Sequence, residues 1–253
     1  MSCESVLNFY IFGKIFGCKH WALLYWKKWA WYKLPLVMPV FGKISHNEEL
    51  LNIRDNILQS TIRDRYVERQ IRKAKNPVIV DCGINVGITV RWWFFLNPQA
   101  TVYGIDMMQE ANDFTVNALS DRLKKRYVPI TAVLAGETGR TFEIQYNDAL
   151  FGGNSIDKTG QYAEKRRVSS ITLDDCLSSY SIDVIDFLKV DIEDSAAEMF
   201  FGASKTLSKV KNILLEVHSE KEQEGSLKLL REKGFCVRKV QKRHMWFEKI
   251  SKT

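Results

Sequence analysis

The sequence predicts an α/β fold: a mostly parallel sheet with helices on both faces, preceded by an aromatic-rich helical extension at the N-terminus. The first observation is size, because 253 residues with 45% hydrophobic content can bury a large core. The second is alternation, since short apolar runs alternate with helical patterns from residue 78 onwards, as in successive βαβ units. The third is composition, which separates an aromatic and basic N-terminal segment, 1–75, from a main domain, 76–253.

The first 45 residues are rich in tryptophan and lysine and contain a single acid, Glu4. No uncharged stretch approaches the roughly 18 residues of a membrane span, and no cleavage-site pattern indicates a signal peptide. Two interpretations stay open. The segment is either an interfacial element that contacts anionic lipid through its rings and lysines, or a helical lid or dimerisation element packed on the main domain. These residues are Lys14, Lys19, Trp21, Trp26, Lys27, Lys28, Trp29, Trp31, Lys33 and Lys43.

The cysteines indicate a reducing compartment. There are five of them, an odd number, and none forms a C-x-x-C pair, which argues against both a zinc module and a disulfide framework. We therefore expect a cytoplasmic protein, with peripheral membrane contact through residues 1–45 in the interfacial interpretation. The sequence predicts no oligomeric state.

The first predicted element is an amphipathic helix over 47–75. Asn47 is the expected N-cap, and Pro77 stops the helix before the first strand of the main domain. The apolar residues at helical spacing are Leu50, Ile53, Ile57, Leu58, Ile62, Tyr66 and Ile71.

Strands and helices then alternate, apart from an irregular middle at 136–170. Expected helices run to about Leu96, from about Gln109, from about Ser195 to Ser208, and over 220–233. Expected strands are 78–80, 101–105, 128–133, 185–190, 212–217, 235–240 and 244–250.

The stretch VIVDCGINVG ends a buried strand in a turn that contains Asp81, Gly83 and Gly87. Glycine lets the backbone approach a ligand, and the N-terminus of the next helix offers free N–H groups, as in nucleotide-binding sites. Asp106 ends the next strand, where an acid accepts hydrogen bonds from both ribose hydroxyls. Asn85 stands where a dehydrogenase has glycine, and an acid before the first glycine suits an ammonium better than a diphosphate. The pattern favours S-adenosylmethionine, with a plain structural turn as the alternative.

Further motifs follow this one along the chain. SSITLDDCL is similar to a T-L-D-D segment, IDFLKVDIEDSAAEMFFGASKTL to a K-I-D-V-E-G-x-E block followed by G-A, and NILLEVH to an E-x-H strand end. Together with VDCGINVG, which is similar to D-V-G-A-N-I-G, they resemble the FkbM family of S-adenosylmethionine-dependent methyltransferases from about residue 76 to 250. Matching positions are Asp81, Gly83, Asn85, Gly87, Lys189, Asp191, Glu193, Gly202, Ala203, Glu216 and His218.

The resemblance implies a class I methyltransferase fold, which is Rossmann-like, with a seven-stranded sheet whose last two strands form a hairpin. Asp81 would hold the methionine amino group, and the glycine turn would pass under the cofactor. Asp106 would grip the ribose, where the family usually has glutamate and proline, and adenine would lie near Val133. The cofactor-binding residues implied are Asp81, Gly83, Asn85, Gly87, Asp106 and Val133.

Methyl transfer from a sulfonium is an in-line displacement, in which the protein aligns the acceptor and accepts the hydroxyl proton. Asp191 and His218 follow neighbouring strands of the expected sheet, so they are candidates for acceptor alignment and general base, with Glu193 next. Structural alternatives are a helix cap for Asp191 and a backbone partner for His218. A Mg²⁺ or Ca²⁺ site that adds Glu216 ranks below metal-free catalysis, because no ligand spacing is diagnostic.

The expected function is transfer of a methyl group to a hydroxyl, of a sugar in a glycan or glycolipid, with a related small-molecule hydroxyl as the wider class. An RNA methyltransferase is the alternative suggested by the runs RLKKR, EKRR and KVQKR, but acids intersperse them and no nucleic acid is expected as a partner. A degenerate, non-catalytic binding module is the third hypothesis. It is suggested by Asp194 and Ala196, which stand where the family has glycine and an acid.

Overall fold

The computed structural model describes residues 37–38, 42–43, 45–58, 62–151, 153–154 and 163–250. The tryptophan- and lysine-rich segment before residue 37, on which the membrane-contact prediction depends, lies outside the described residues. Within the described ranges, no helix is long and apolar enough to cross a membrane. The cysteines in these ranges, Cys82, Cys176 and Cys236, are free thiols.

The strands fall into a short hairpin, a central sheet and a smaller second sheet. In chain order they are β1 (Val37–Met38), β2 (Gly42–Lys43), β3 (Val78–Cys82), β4 (Thr101–Asp106), β5 (Tyr127–Thr131), β6 (Val133–Leu134), β7 (Thr141–Tyr146), β8 (Glu164–Ile171), β9 (Phe187–Val190), β10 (Asn212–Glu216), β11 (Phe235–Gln241) and β12 (His244–Lys249).

The helices alternate with the strands of the central sheet, as the sequence predicts. In chain order they are α1 (Asn47–Asn52), which continues into a π-helical turn (Ile53–Leu58), α2 (Arg65–Lys73), α3 (Ile88–Leu96), α4 (Gln109–Ala118), α5 (Asp121–Lys124), α6 (Leu173–Leu177), α7 (Ala196–Phe201), α8 (Ser204–Lys209) and α9 (Glu220–Glu232).

The central sheet has seven strands in the order β11-β12-β10-β9-β3-β4-β5. The strands from β10 to β5 are parallel, and β12 is antiparallel to both of its neighbours. Successive residues of β3, Ile79 and Val80, enter two separate hydrophobic cores, because neighbouring side chains of a strand point to opposite faces. The predicted α/β, Rossmann-like class with a mostly parallel seven-stranded sheet and a terminal hairpin is therefore confirmed.

The single helix predicted over 47–75 is wrong. The helical residues belong to α1 with its π-helical turn and to α2, and residues 59–61 between them lie outside the described ranges. Asp64 begins α2, because its Oδ1 accepts hydrogen bonds from the backbone N–H groups of Tyr66 and Val67, both at 3.1 Å. This cap, rather than the apolar spacing, fixes where the second helix starts.

Two further boundaries differ from the prediction. The helix expected from Ser195 to Ser208 is interrupted at Gly202, where a Cβ atom would lie 2.8 Å from the carbonyl oxygen of Ala135. The strand expected over 128–133 ends at Thr131, and β6 pairs with β8 in the second sheet. The middle segment predicted as irregular supplies β7 and β8, which form an antiparallel pair.

Candidate active site

A cavity of about 330 Å³ lies at the carboxyl-terminal edge of the central sheet. This is the edge where open parallel sheets bind ligands, and β3, β4, β9 and β10 each end at the cavity lining. A further part of the lining comes from α1 and its π-helical turn. Four polar residues of this segment, which we call the polar wall, are Glu48, Asn52, Asp55 and Asn56.

The turn after β3 requires glycine at two positions. Gly83 has φ of 81°, and a Cβ atom there would lie 1.7 Å from the backbone oxygen of Asp191. Gly87 has φ of 68°, and its Cβ atom would lie 2.4 Å from Oγ1 of Thr115. Gly83 and Asn85 line the cavity, whereas Gly87 is outside its lining. The first glycine therefore lets the turn pack against the end of β9 at the cavity lining, and the second lets it pack on α4.

Asp106, at the end of β4, is held by the backbone. Its Oδ2 accepts a hydrogen bond from the N–H of Asn85 and its Oδ1 from the N–H of Met108, both at 2.9 Å. Burial raises the pKa of Asp106 to about 6, and these two hydrogen bonds lower it only in part. Each oxygen keeps a second acceptor site. Val133 also lines the cavity, as expected for the end of the third strand.

Asp81 lies behind the cavity rather than in its lining. Its carboxylate is fully buried, with Oδ2 accepting a hydrogen bond from Nε1 of Trp93 at 2.7 Å and Oδ1 lying 3.3 Å from Nζ of Lys189. In this structure the acid before the first glycine holds a lysine in place. Its contact with the methionine ammonium stays a prediction.

Lys189 on β9 is a buried cation that joins two strand ends. Its ammonium donates a hydrogen bond to the backbone oxygen of Gly83 at 2.7 Å and lies 3.4 Å from Oδ2 of Asp191. Burial alone would lower the pKa of Lys189, but the carboxylates of Asp81 and Asp191 outweigh it and raise the pKa above its ordinary value. The lysine therefore stays charged inside the protein.

Asp191, Glu193 and His218 form a cluster beside Lys189. Nε2 of His218 lies 3.2 Å from Oδ1 of Asp191, and Nδ1 lies 3.5 Å from Oε2 of Glu193. Burial alone would lower the pKa of His218, but these carboxylates raise it to about 9. Burial alone would raise the pKa of Asp191, but Lys189 and His218 hold it well below its ordinary value.

This cluster bears on the roles predicted for its members. A pKa raised to about 9 favours the imidazolium form of His218 at neutral pH, in which both N–H groups face carboxylates and no lone pair is left to accept a proton. The role of His218 as general base stays a prediction. Asp191 keeps a charged carboxylate on the cavity lining and is the better candidate to accept a proton. The helix-cap alternative for Asp191 does not apply, because Ser195 is the residue that precedes α7.

The same three side chains of the cluster also lie close enough together to contact a single cation. A divalent cation would have to displace the imidazole proton, since both nitrogens of His218 face carboxylates. The ammonium of Lys189 already lies against Asp191, and Glu216 is paired with His244 at 2.9 Å. The geometry therefore favours a hydrogen-bonded, charge-balanced cluster over a metal centre.

At the positions that depart from the FkbM pattern, the backbone conformation does not depend on the family's residues. Asp194 has φ of 64° and Glu193 has φ of 47°, so the left-handed turn forms without the family glycine. Ala196 is fully buried, and its N–H donates a hydrogen bond to Oε1 of Glu222 at 2.9 Å. Position 196 is outside the cavity lining, so the change from the family's acid to alanine does not remove an acid from the cavity.

Acids dominate the lining among the residues that the structure describes. The carboxylates are Glu48, Asp55, Asp106, Asp191, Glu193 and Glu216. In the described part of the lining the basic side chains are Lys189 and His218, and both are paired with carboxylates. The described lining therefore has more acidic than basic side chains.

Sequence reasoning missed the role of Lys189 and the whole polar wall. The lysine stands in the apolar run DFLKV, which indicates a buried strand but not the carboxylates that surround its side chain. The polar wall has a sequence signal, since its residues recur at helical spacing opposite Ile53 and Ile57. The same spacing is typical of a helix face in solvent, so it does not by itself indicate a site.

Comparisons with solved structures give resemblance in fold at low identity. A candidate rRNA-methylase from Clostridium thermocellum is 14% identical with a TM-score of 0.47, over 74% of this chain and 96% of that one. Aeropyrum pernix fibrillarin, solved with S-adenosyl-L-methionine, is 12% identical with a TM-score of 0.44, over 75% and 76%. Precorrin-6y C5,15-methyltransferase from Geobacter metallireducens is 10% identical with a TM-score of 0.42, over 72% and 84%.

Among curated proteins, none matches the chain significantly. The model of the Methyltransferase FkbM domain family matches residues 81–243, which is well over half of the chain. The matched region contains the glycine turn, Asp106 and the Asp191–His218 cluster. This match confirms the resemblance inferred from the motifs. The chain belongs to the FkbM family of S-adenosylmethionine-dependent methyltransferases.

Proposed function

We propose that the chain transfers a methyl group from S-adenosylmethionine to a hydroxyl, most specifically of a neutral sugar in a glycan or glycolipid. The observation that carries the proposal is that two carboxylates, each held in position by its own partners, line the same cavity. Asp106 is fixed by backbone N–H groups at the end of β4, and Asp191 is fixed by Lys189 and His218 at the end of β9.

The cofactor half of the cavity is built from the glycine turn and Asp106. Gly83 lines the cavity and lets the turn lie close against the backbone of Asp191, and the two oxygens of Asp106 are oriented to accept hydrogen bonds from adjacent ribose hydroxyls. The acid-rich lining complements the sulfonium and ammonium charges of S-adenosylmethionine. Asp81 supports this half from behind, by holding Lys189 against the glycine turn.

The transfer itself needs an aligned acceptor and a proton acceptor. A lone pair of the acceptor oxygen forms the new bond to the methyl carbon while the carbon–sulfur bond breaks, and the cofactor leaves as the neutral thioether S-adenosylhomocysteine. The hydroxyl becomes strongly acidic as the carbon–oxygen bond forms, so a carboxylate of lowered pKa is a sufficient acceptor. Asp191 takes the proton in this scheme, and His218 with Glu193 holds Asp191 in position.

The RNA alternative is not favoured by the charges of the described residues. Nucleic-acid binding depends on cations that are available to phosphates. In the run EKRR, Arg166 pairs with Glu110 at 2.6 Å and Lys165 with Glu143 at 3.2 Å, and beside the run KVQKR Arg238 pairs with Asp64 at 2.6 Å. The basic runs are thus partly neutralised by local acids, and the cavity lining is acidic.

The first test is calorimetric titration of the purified protein with S-adenosylmethionine and S-adenosylhomocysteine, with Mg²⁺ and with EDTA. We expect affinity in the micromolar range that is independent of the metal. Asp106→Ala should lose most of this affinity, whereas Asp113→Asn on the exposed face of α4 serves as a control of equal charge change. Absence of binding in all conditions would favour the degenerate module and contradict the proposal.

The second test follows labelled methyl transfer to neutral glycosides and to RNA. We expect an alkali-stable methyl ether on a sugar hydroxyl and no label in RNA. A labelled RNA product with no labelled glycoside would replace the proposed acceptor class by the alternative.

A further inference from the structure

Two residues of the cavity lining each carry a buried oxygen without a hydrogen-bond partner in the described part of the chain. The oxygens are Oδ1 of Asn85, in the glycine turn, and Oγ1 of Thr89, in the first turn of α3. The other unpartnered buried side-chain atoms of the described residues lie outside this lining. Buried polar atoms are nearly always hydrogen-bonded, so two such oxygens at one cavity wall indicate a ligand contact.

Thr89 differs in its hydrogen bonding from Thr115, the buried threonine of α4. Oγ1 of Thr115 donates to the backbone oxygen of Ala111 at 2.8 Å, which is the usual bond of a helical threonine to the residue four positions earlier. Oγ1 of Thr89 makes no such bond, although the residue is only 3% exposed and lines the cavity. Its hydroxyl is therefore available to donate to a ligand in the cavity.

The N–H groups in the first turn of α3 have no side-chain cap among the described residues. The N-cap is Gly87, which has no side chain, and this turn contains no acid. The helix runs for nine residues, Ile88–Leu96, and the N-terminus of such a helix attracts negative charge. The hydroxyl of Thr89 and this helix end together suit a carboxylate.

Asn85 connects this helix end to the residue expected to bind ribose. Its backbone N–H donates to Oδ2 of Asp106 at 2.9 Å, and its φ of 49° lies in the left-handed region that asparagine tolerates. The unpartnered Oδ1 of the same residue can accept a hydrogen bond from a ligand. The amino-acid end of S-adenosylmethionine carries both groups that this wall requires, a carboxylate and an ammonium.

From these contacts we infer that Thr89 and Asn85 hold the amino-acid end of the cofactor. Oγ1 of Thr89, with the first turn of α3, binds the carboxylate, and Oδ1 of Asn85 accepts a hydrogen bond from the ammonium. The second contact is compatible with the one predicted for Asp81, because an ammonium has three donors. The inference rests on the proposed function for the identity of the ligand. It adds Thr89 to the site and explains how the chain distinguishes S-adenosylmethionine from adenosine thioethers without an amino acid.

The test compares three ligands on the full chain by NMR titration of the ligand signals, which measures both tight and weak binding. They are S-adenosylhomocysteine, 5′-deoxy-5′-(3-aminopropylthio)adenosine, which lacks the carboxylate, and 5′-methylthioadenosine, which lacks the whole amino-acid end. In Thr89→Val a methyl group replaces the hydroxyl. We expect affinity for S-adenosylhomocysteine to fall about tenfold or more, as for a lost hydrogen bond to a charged group. Affinity for the other two ligands should change by less than about twofold.

A second variant separates the ammonium contact from the carboxylate contact. Asn85→Gly removes the amide, and glycine adopts the positive φ of this position without strain. Affinity for S-adenosylhomocysteine and for the aminopropyl compound should fall about fivefold or more, because both carry the ammonium. Affinity for 5′-methylthioadenosine should stay within about twofold.

Two controls separate recognition from folding. Thr89→Ser keeps the hydroxyl and should bind S-adenosylhomocysteine within about threefold of the unmodified chain. Thr206→Val makes the valine change at a buried threonine of α8, outside the cavity lining, and should leave all three affinities unchanged. Binding of 5′-methylthioadenosine also reports that each variant is folded.

Two results would overturn the inference. If Thr89→Val binds S-adenosylhomocysteine as tightly as the unmodified chain does, the partner of the hydroxyl is a water molecule and not the cofactor. If the variant loses affinity equally for all three ligands, Thr89 has a structural role only. In both cases the proposed function stands, because the unmodified chain binds the cofactor product. Absence of S-adenosylhomocysteine binding to the unmodified chain would instead contradict the proposed function.

Discussion

Asp106 and Asp191 are two carboxylates at strand ends of the same cavity, yet their ionisation is opposite. Burial raises the pKa of Asp106 to about 6, because two backbone N–H groups and the charge of Lys189 offset only part of the lost hydration. Asp191 is also buried, but Lys189 and His218 hold its pKa well below the ordinary range. The difference teaches that the nearest cations, and not burial alone, decide the charge of a buried acid. Near neutral pH Asp106 is thus close to the pH at which it becomes protonated, whereas Asp191 stays ionised until a reacting hydroxyl supplies a proton.

Removing Lys189, the cation that lies between Asp81 and Asp191, should have the largest effect. Lys189→Met leaves Asp81 and Asp191 buried without their shared ammonium, and breaking a buried pair in this way costs about 3–5 kcal/mol. We expect the free energy of unfolding in urea to fall by that amount. Lys221→Met, at an exposed position of α9, is the matched control. Unchanged stability would mean that the ammonium does not balance these carboxylates.

Asp191→Asn tests the anionic half of the comparison. The amide keeps the shape of the side chain but is a far poorer proton acceptor, so turnover should fall by about a hundredfold or more. Affinity for S-adenosylhomocysteine should change little, whereas the thermal unfolding temperature should fall, because Lys189 and His218 lose the carboxylate that they share. Full turnover would remove Asp191 as the proton acceptor, and a loss of cofactor affinity would place the residue in the cofactor half instead.

His218 supplies a pH dependence of stability. Because its folded-state pKa is raised to about 9, its contribution is fully present below about 6.5 and is lost as the pH rises through about 9. The shift corresponds to on the order of 3 kcal/mol. Urea unfolding from pH 6 to 10 should show this decline, and His218→Gln should flatten it. A decline of equal size in the glutamine variant would assign it to other groups.

Asp106 should produce the smallest effect, and in the opposite pH range. Its raised pKa means that the carboxylate becomes protonated below about pH 6, where it loses acceptor capacity for ribose hydroxyls. Cofactor affinity should then fall by up to about tenfold per pH unit below that value. Asp106→Asn should bind weakly with no such step.

The expected loss of cofactor affinity below pH 6 does not come from an effect of Asp106 on unfolding. A carboxyl whose folded-state pKa is raised lowers stability at high pH and is relieved of that cost on protonation, so Asp106 itself stabilises the fold as the pH falls. Affinity that stays constant between pH 7 and 5 would show that Asp106 is not a ligand of the ribose.

The sequence predicted the parts that depend on local pattern. The apolar runs located the strands, and the positions of Gly83, Asp106 and Asp191 after those runs placed them at one edge of the sheet. It did not predict the protonation of His218, because the two carboxylates that face its ring belong to another strand end. Nor did it predict the helix start at Asp64, where a side-chain cap overrides a continuous apolar period.

The ion pair between Glu49 and Arg91 has a consequence for protein engineering. The region that matches the FkbM family begins at residue 81, but the partner of Arg91 lies upstream, on α1. A chimera that began at the family boundary would leave the buried guanidinium of Arg91 without Glu49, and it would lack the part of the cavity lining that α1 supplies. The smallest transplantable unit of this methyltransferase therefore starts no later than residue 45, whose N–H donates to Glu49 at 2.7 Å.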